Sequence, residues 1–589
     1  MTPPKWLLAA IAAGLCLCGR PGPVTAQDPR PELAPLAVPM RHGVVFFCPE
    51  SADEAVKQLE AIKRDGFNLI KFASWAWTLP KPGSPLRERA RAVLDWCDRE
   101  GMAFFLLHNI QYGSQGEGGG LDRQVLDPRQ TLPLLADWVD VLRGHECVMG
   151  VILGNEVGPS LGSPEEAPRL WGEFRAWLKA RHGSLETLNQ AWGTGYATLD
   201  EVGLPPEGSP GWHDCREYAR RRFAGFYGYL VREGLRPVLG DKLYGAKTSP
   251  DPFLHRDCRG LTMTCWDDVM AEYPLWRIKC AADTTAKPLF NAELHLYHDT
   301  YQYFPSPERS RYRYFTGALL GEYLTASFAW GQWSKPEIQA IHAATPAILA
   351  DLRRIEAACR ALAGAYRRAD VAVLVTEESY YRPGIEGEKA HPFALLCAHC
   401  SGLGRPWWYL LETDLGEMDR GVLVVWSKQA GLETARALAE LPAGVRVLAV
   451  DGAPVEDEYG RPLPAELAGR LRERCEPVAL EHLRDRIGRA AGLPGEYSGL
   501  GWLSYAAWSE KRGHFRYDLP CCPLEALTDG EEHKVIAVVN HTTEAVEAPL
   551  PWAQGRTVTD LVTGRSVNAD EAARVRFGPL AVKLYRYEP

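Results

Sequence analysis

At 589 residues the chain is long enough for two to four domains, each with a core of its own. Hydrophobic residues make up 46% and charged residues 24%, a globular balance that excludes a fibrous or disordered protein. The formal net charge is −9 and no long run of Lys or Arg occurs, which argues against a nucleic-acid partner.

The chain opens on the pattern of a secretory signal peptide. Lys5 supplies a positive start, Trp6 to Cys18 form a short apolar core, and "VTA" precedes Gln27 as a small-residue cleavage site. Residues 1–26 are therefore expected to be removed, leaving a secreted or periplasmic protein. The apolar core is too short for a comfortable membrane helix, and no later segment is long and apolar enough to span a bilayer. Of the 15 cysteines, 13 follow this segment, scattered along a large chain, which is not a disulfide scaffold. Cys397 with Cys400 and Cys521 with Cys522 are the only close pairs. No second CxxC and no HExxH accompanies them, so neither a metal nor a cofactor is expected.

Strands and helices then alternate to about residue 345. The apolar runs are "GVVFF" (43–47), "FNLIKF" (67–72), "MAFFLL" (102–107) and "CVMGVIL" (147–153). They continue with "KLYGAK" (242–247), "GLTMTCW" (260–266), "KPLFNAE" (287–293) and "YLTASFAW" (323–330). Ser51 with Glu54 makes a capping box for the first helix, with Val56, Leu59 and Ile62 on one face and Gly66 as its stop. Ser84 caps the next helix, with Pro85 at its first position and Gly101 at its end. Continuous apolar strands separated by helices imply a parallel sheet, and eight such units fit a (β/α)8 barrel over residues 27–345. A doubly wound open sheet is the competing arrangement.

A helix near 350–365 leads into a smaller α/β unit, expected over 346–524, with strands "ADVAVLV", "WYLL", "GVLVVW" and "VRVLAV". Its stretch 476–524 carries no assignment. From 525 to 589 alternating residues and turns suggest an antiparallel β-sandwich.

Two acids stand where barrel strands end. Glu156 follows "VILGN" on strand four and Glu293 follows "LFNA" on strand seven, 137 residues later. Side chains at the C-terminal ends of barrel strands share one pocket. Two carboxylates across a pocket can hydrolyse a glycosidic bond, one as proton donor and one as nucleophile. A separation of about 5–5.5 Å gives retention and about 6.5–9.5 Å gives inversion. The alternative is that each is one of 75 acids on a solvated loop.

"GNE" after an apolar strand resembles the acid/base motif of glycoside hydrolase clan A, and Glu293 in "FNAE" matches its strand-seven nucleophile position. "FRAWLKARHGSLETLNQAWGTGYATLDEVGLPP" (174–206) resembles the segment after the acid/base strand in glycoside hydrolase family 42, the β-galactosidase-like enzymes. "GFNLIKFASWAW" resembles that family's second strand. The chain departs from the pattern at Lys71, where the family has Arg, in "WAWTLPKPG", which lacks Glu-Pro, and in "ELHLYHD". A sister family of the same architecture stays open.

The resemblance implies a retaining exo-β-glycosidase with a barrel, a flavodoxin-like (amidotransferase-like) domain and a β-sandwich, assembled as a homo-oligomer, often a trimer. Glu156 would be the acid/base, its carboxyl in a partly apolar pocket, Glu293 the nucleophile, and Asn155 a ligand of the sugar 2-hydroxyl. Trp330, or Trp333 beside it, would floor the terminal-sugar subsite, though core packing explains either equally. His108 and Asn109, at the end of strand three, would meet hydroxyls, though a neutral His capping the strand explains His108 nearly as well, and Tyr297 would meet the nucleophile. Lys71 and Trp75 sit at the strand-two rim, Lys247 ends strand five, and Trp266 and Asp267 end strand six. Glu293, His295 and His298 lack the further ligand and open position of a metallohydrolase. A β-mannosidase, a β-glucosidase or another β-glycosidase competes within the enzymes. A catalytically silent carbohydrate-binding barrel competes from outside them.

Overall fold

The computed structural model describes residues 38–75, 79–110, 128–165, 167–268, 275–285, 287–296, 306–331, 334–366, 369–381, 392–401, 403, 407–492, 503–509, 514–521, 524–528, 535–540, 544–548, 557–572 and 574–587. Residues 1–26, expected to be a signal peptide, and Tyr297, Trp333 and His298 lie outside the described residues.

The first sheet comprises β1 (Arg41–Phe46), β2 (Leu69–Trp75), β3 (Ala103–Asn109), β4 (Val148–Ile152), β5 (Leu243–Gly245), β6 (Lys247–Thr248), β7 (Thr264–Asp268), β8 (Leu289–Leu294) and β9 (Leu324–Ser327). All neighbours are parallel and run in the order β5-β4-β3-β2-β1-β9-β8-β7-β6. The two ends, β5 and β6, are separated in sequence by Ala246 alone. The sheet is therefore a (β/α)8 barrel whose fifth strand is broken at that residue, and each of the eight apolar runs read from the sequence supplies one strand.

The helices form where the caps direct them. Ser51 Oγ accepts from Glu54 N at the start of Ala52–Arg64, and Ala55, Leu59 and Ile62 are its buried face, with Val56 half-buried beside them. Ser84 Oγ accepts from Arg87 N, Pro85 is the first residue of Pro85–Glu100, and Gly101 ends it at φ 65°.

Alternation sorts the strand residues into two cores. Leu69, Phe105, Ile152, Phe290 and Leu324 fill the barrel interior. Ile70, Phe104, Leu106 and Val151 face the surrounding helices.

The long helix Pro336–Tyr366 leads to β10 (Val371–Val375), β11 (Trp408–Leu411), β12 (Gly421–Val425), β13 (Val445–Val450) and β14 (Cys475–Val478). They form a parallel sheet in the order β11-β10-β12-β13-β14, the flavodoxin-like arrangement. The unassigned stretch supplies β14, the helix Leu483–Ala490 and an antiparallel pair, Leu503–Ser509 with His514–Cys521. Antiparallel strands follow, and Val535, Ala537, Val539 and Leu584 from them join the outer core of the barrel.

Candidate active site

Lys247 organises the mouth of the barrel. The break at Ala246 lets the strand-four loop knit into strand five. Leu153 N donates to Gly245 O at 2.8 Å, Lys247 N to Gly154 O at 2.9 Å, and Val157 N to Lys247 O at 2.9 Å. These bonds bracket Glu156, which takes a left-handed φ of 52°, a conformation that costs a non-glycine residue strain and marks a position determined by its surroundings. Asn109, facing inward from β3, accepts from Asn155 N at 3.0 Å and fixes the same loop from the other side.

Glu293 reaches the pocket through a bulge. Trp266 pairs with Asn291, and Asp267 pairs next with Glu293, so β8 carries one residue more than its neighbour. The same irregularity recurs against β9. Simple alternation would put Glu293 on the outward face with Leu289 and Asn291. The extra residue, Ala292, turns it inward, as bulges do. Asp267 faces the same pocket from β7.

The side chains converge. Lys71 Nζ donates to Glu293 Oε1 at 2.5 Å, and Lys247 Nζ lies 2.7 Å from Glu293 Oε2. Lys247 Nζ is also 3.2 Å from Glu156 Oε1 and 3.7 Å from Asp267 Oδ2. Because Glu156 Oε1 and Glu293 Oε2 touch one ammonium at 3.2 and 2.7 Å, they are at most 5.9 Å apart. His295 Nε2 stands 3.8 Å from Glu293 Oε2, and its ring packs on Phe328 at 4.8 Å.

Electrostatics separate the acids. Burial alone would raise the pKa of Glu293, but the ammoniums of Lys247 and Lys71 outweigh it and hold the carboxyl well below the usual range. Burial pushes Lys71 down, partly offset by Glu293. Lys247 is also buried, yet Glu293, Asp267 and Glu156 together raise it. Burial lifts Asp267 to about 6 against the pull of Lys247. Glu156 differs in kind: its side chain is 61% exposed and meets an ammonium, so the partly apolar pocket expected for it is not there.

Asp267, Glu293 and His295 offer donor atoms close enough to share a cation. Lys71 and Lys247 already occupy Glu293, and a metal ion among them would meet two ammoniums at contact distance.

Several expected site residues lie elsewhere. His108 follows the outward parity of Phe104 and Leu106 and packs toward Trp138, ring to ring at 6.3 Å. Burial lowers its pKa to about 4, so it is a neutral core residue. Trp266 is fully buried against Ile278, Ala282 and Leu289, outside the barrel. Trp330 packs edge-on against Phe67 and His342 in the outer layer, not on the pocket floor. Among the described residues Phe328 stands at the mouth, against the inner core, His295 and Phe47. Trp75 pairs through its backbone with Asn109. Lys247 and Asp267 were legible as strand-end residues only; the alternation from Gly245 and Cys265 is the signal that turns both inward.

The comparisons with known proteins agree with this geometry. The model of the β-galactosidase family, glycoside hydrolase family 42, matches residues 136–224, the strand and helices around Glu156. A β-galactosidase BgaA of a Thermus species is 39% identical over 84 residues, which is 13% of this chain and 13% of the relative. The chain thus aligns with about an eighth of that relative's length. Among solved structures, a β-galactosidase from Rahnella sp. R3 superimposes with a TM-score of 0.69 at 15% identity, covering 95% of this chain and all of the other. An exo-carrageenase of family 42 from Bacteroides ovatus gives 0.65 at 17% identity, over 93% and 82% of the two chains. In the segment around its acid-bearing strand and in the fold of nearly its whole length, this chain resembles glycoside hydrolase family 42.

Proposed function

We propose that this protein is a retaining exo-β-glycosidase of the β-galactosidase type, exported through its N-terminal segment and working by two glutamates. The observation that carries the proposal is the meeting of Glu156 and Glu293 on one lysine, which keeps one oxygen of each within 5.9 Å of the other, below the roughly 6.5–9.5 Å of inverting pairs.

Glu293 enters the reaction ionised, because two ammoniums oppose its protonation. Its carboxylate attacks the anomeric carbon while Glu156 gives a proton to the leaving oxygen. The glycosyl ester so formed is hydrolysed by a water that Glu156 deprotonates. The exposed side chain of Glu156 suits this double duty, since leaving group and water both arrive from solvent. Asn155 carries a buried Oδ1 without a partner, and its amide beside Glu156 fits a sugar 2-hydroxyl. Asp267 and Asn109, facing the same pocket, supply further hydroxyl partners.

The test is release from a panel of p-nitrophenyl α- and β-glycosides. One β-glycoside should be cleaved, with Glu293→Ala inactive and Glu156→Ala rescued by azide to a β-glycosyl azide. Binding of a sugar without release from any glycoside would overturn hydrolysis in favour of a silent carbohydrate-binding barrel. N-terminal sequencing of the exported protein should begin near Gln27.

A further inference from the structure

The fold brings together two pairs of residues that sequence spacing keeps apart. Cys97 and Asp98 lie in the last turn of Pro85–Glu100, and His145 and Cys147 in the turn entering β4. This is the N-terminal face of the barrel, opposite the carboxylates. Asp98 Oδ2 is 2.6 Å from His145 Nδ1, and Cys147 N donates to Asp98 Oδ1 at 2.7 Å. One donor atom from each of Asp98, His145 and Cys147 lies within 4.8 Å of the others. The Cys97 thiol neighbours the Cys147 thiol, and the latter donates to Leu94 O at 3.6 Å. Cys97 is buried, Cys147 and His145 are half-buried, and Asp98 opens to solvent, which leaves a route of entry.

We propose that Cys97, Asp98, His145 and Cys147 form a structural zinc site that staples this helix to β4. Two thiolates, an imidazole and a carboxylate are a borderline-soft set of four, the number a closed tetrahedral zinc site takes. Bonds of about 2.0–2.3 Å would separate neighbouring donors by about 3.3–3.8 Å, so the spread of the Asp98, His145 and Cys147 donors closes with side-chain rotation, and Cys97 is the neighbouring thiol that would complete the set. Binding displaces one proton from each thiol to solvent and changes no oxidation state. The absence of a zinc motif in the sequence is no objection, because the ligands come from two elements fifty residues apart.

The experiment uses the full chain, reduced, stripped with chelator and reloaded with Zn²⁺ or Co²⁺. One zinc per chain should survive gel filtration and raise Tm, and cobalt should give the d–d and thiolate charge-transfer bands of a tetrahedral site. His145→Ala, at a partly exposed position, should weaken binding at least tenfold and abolish the Tm shift; Cys147→Ser should weaken binding likewise and lower the intensity of the charge-transfer bands. Retention of no metal would overturn the site, as would equal zinc in wild type and His145→Ala. Peptide mapping of the unreduced protein that finds Cys97 joined to Cys147 would replace it with a disulfide.

Discussion

Among the described residues Lys247 is the group that touches both carboxylates, so the arrangement of Glu156 and Glu293 depends on it. Replacing it with Met leaves Glu293 with Lys71 as its one lysine partner among the described residues. The pKa of Glu293 then rises, and the acid limb of the kcat/KM profile moves to higher pH. A loss of roughly 10²-fold at neutral pH is expected from a misaligned pair. Stability should follow the same sign. The folded pKa of Glu293 is depressed, so its pairing stabilises above the unfolded value of about 4.5 and is lost as pH falls below it. In Lys247→Met that dependence should flatten, as thermal unfolding at several pH values would reveal. His108 gives the opposite expectation. As a neutral side chain facing Trp138, its change to Leu should leave kcat/KM within about twofold and alter stability by less than about 1.5 kcal/mol. A hundredfold fall in kcat/KM on the same substrate would return it to the pocket.

At the scale of elements, the caps were the most legible feature. Ser51 and Ser84 bind the backbone amides that the sequence assigns them, because a cap depends only on residues three apart. Ser84→Ala should therefore cost about 1 kcal/mol, seen as a lower denaturant midpoint with unchanged activity. The strands were equally legible, since apolar runs separated by capped helices leave few other folds. Which face each strand-end residue takes was harder. His108 and Trp266 were drawn to the pocket by their position at strand ends, whereas parity turns both outward. Glu293 is the reverse case: parity alone would turn it out, and the bulge at Ala292 turns it in. The family resemblance singled out Glu293 for a reason that alternation could not supply. The break at Ala246 is likewise silent in "KLYGAK", which reads as one strand.

On the scale of the whole molecule, the flavodoxin-like sheet raises the question of what its crevice holds. In this strand order ligands sit beyond the carboxyl ends of the strands, beside the first. Glu377 stands there, just after β10, and receives Arg220 from the barrel helix Pro210–Tyr229. The guanidinium donates to both carboxylate oxygens, at 2.8 and 2.7 Å, and its Nε reaches Asp257 at 3.1 Å. Barrel and α/β unit are thus joined by a buried ion pair where a small ligand would otherwise bind. Burial would raise the pKa of Glu377, yet Arg220 above all lowers it to about 2. The pair therefore stabilises the native state above the unfolded pKa of about 4.5, and the contribution disappears as pH falls from there to about 2. Arg220→Met removes the main partner and leaves a buried carboxylate with only the more distant Arg216 and His213 beside it among the described residues, at a cost approaching about 3–5 kcal/mol. Unfolding of the variant at pH 7 should begin at lower temperature, and its stability should no longer decline between pH 4.5 and 2 as the parent's does. An unchanged pH profile would mean that the ion pair does not hold the two units together, and that the other contacts between them do so, the apolar ones around Phe253, Trp276 and Tyr380 and bonds such as Tyr409 N to Asp283 Oδ2.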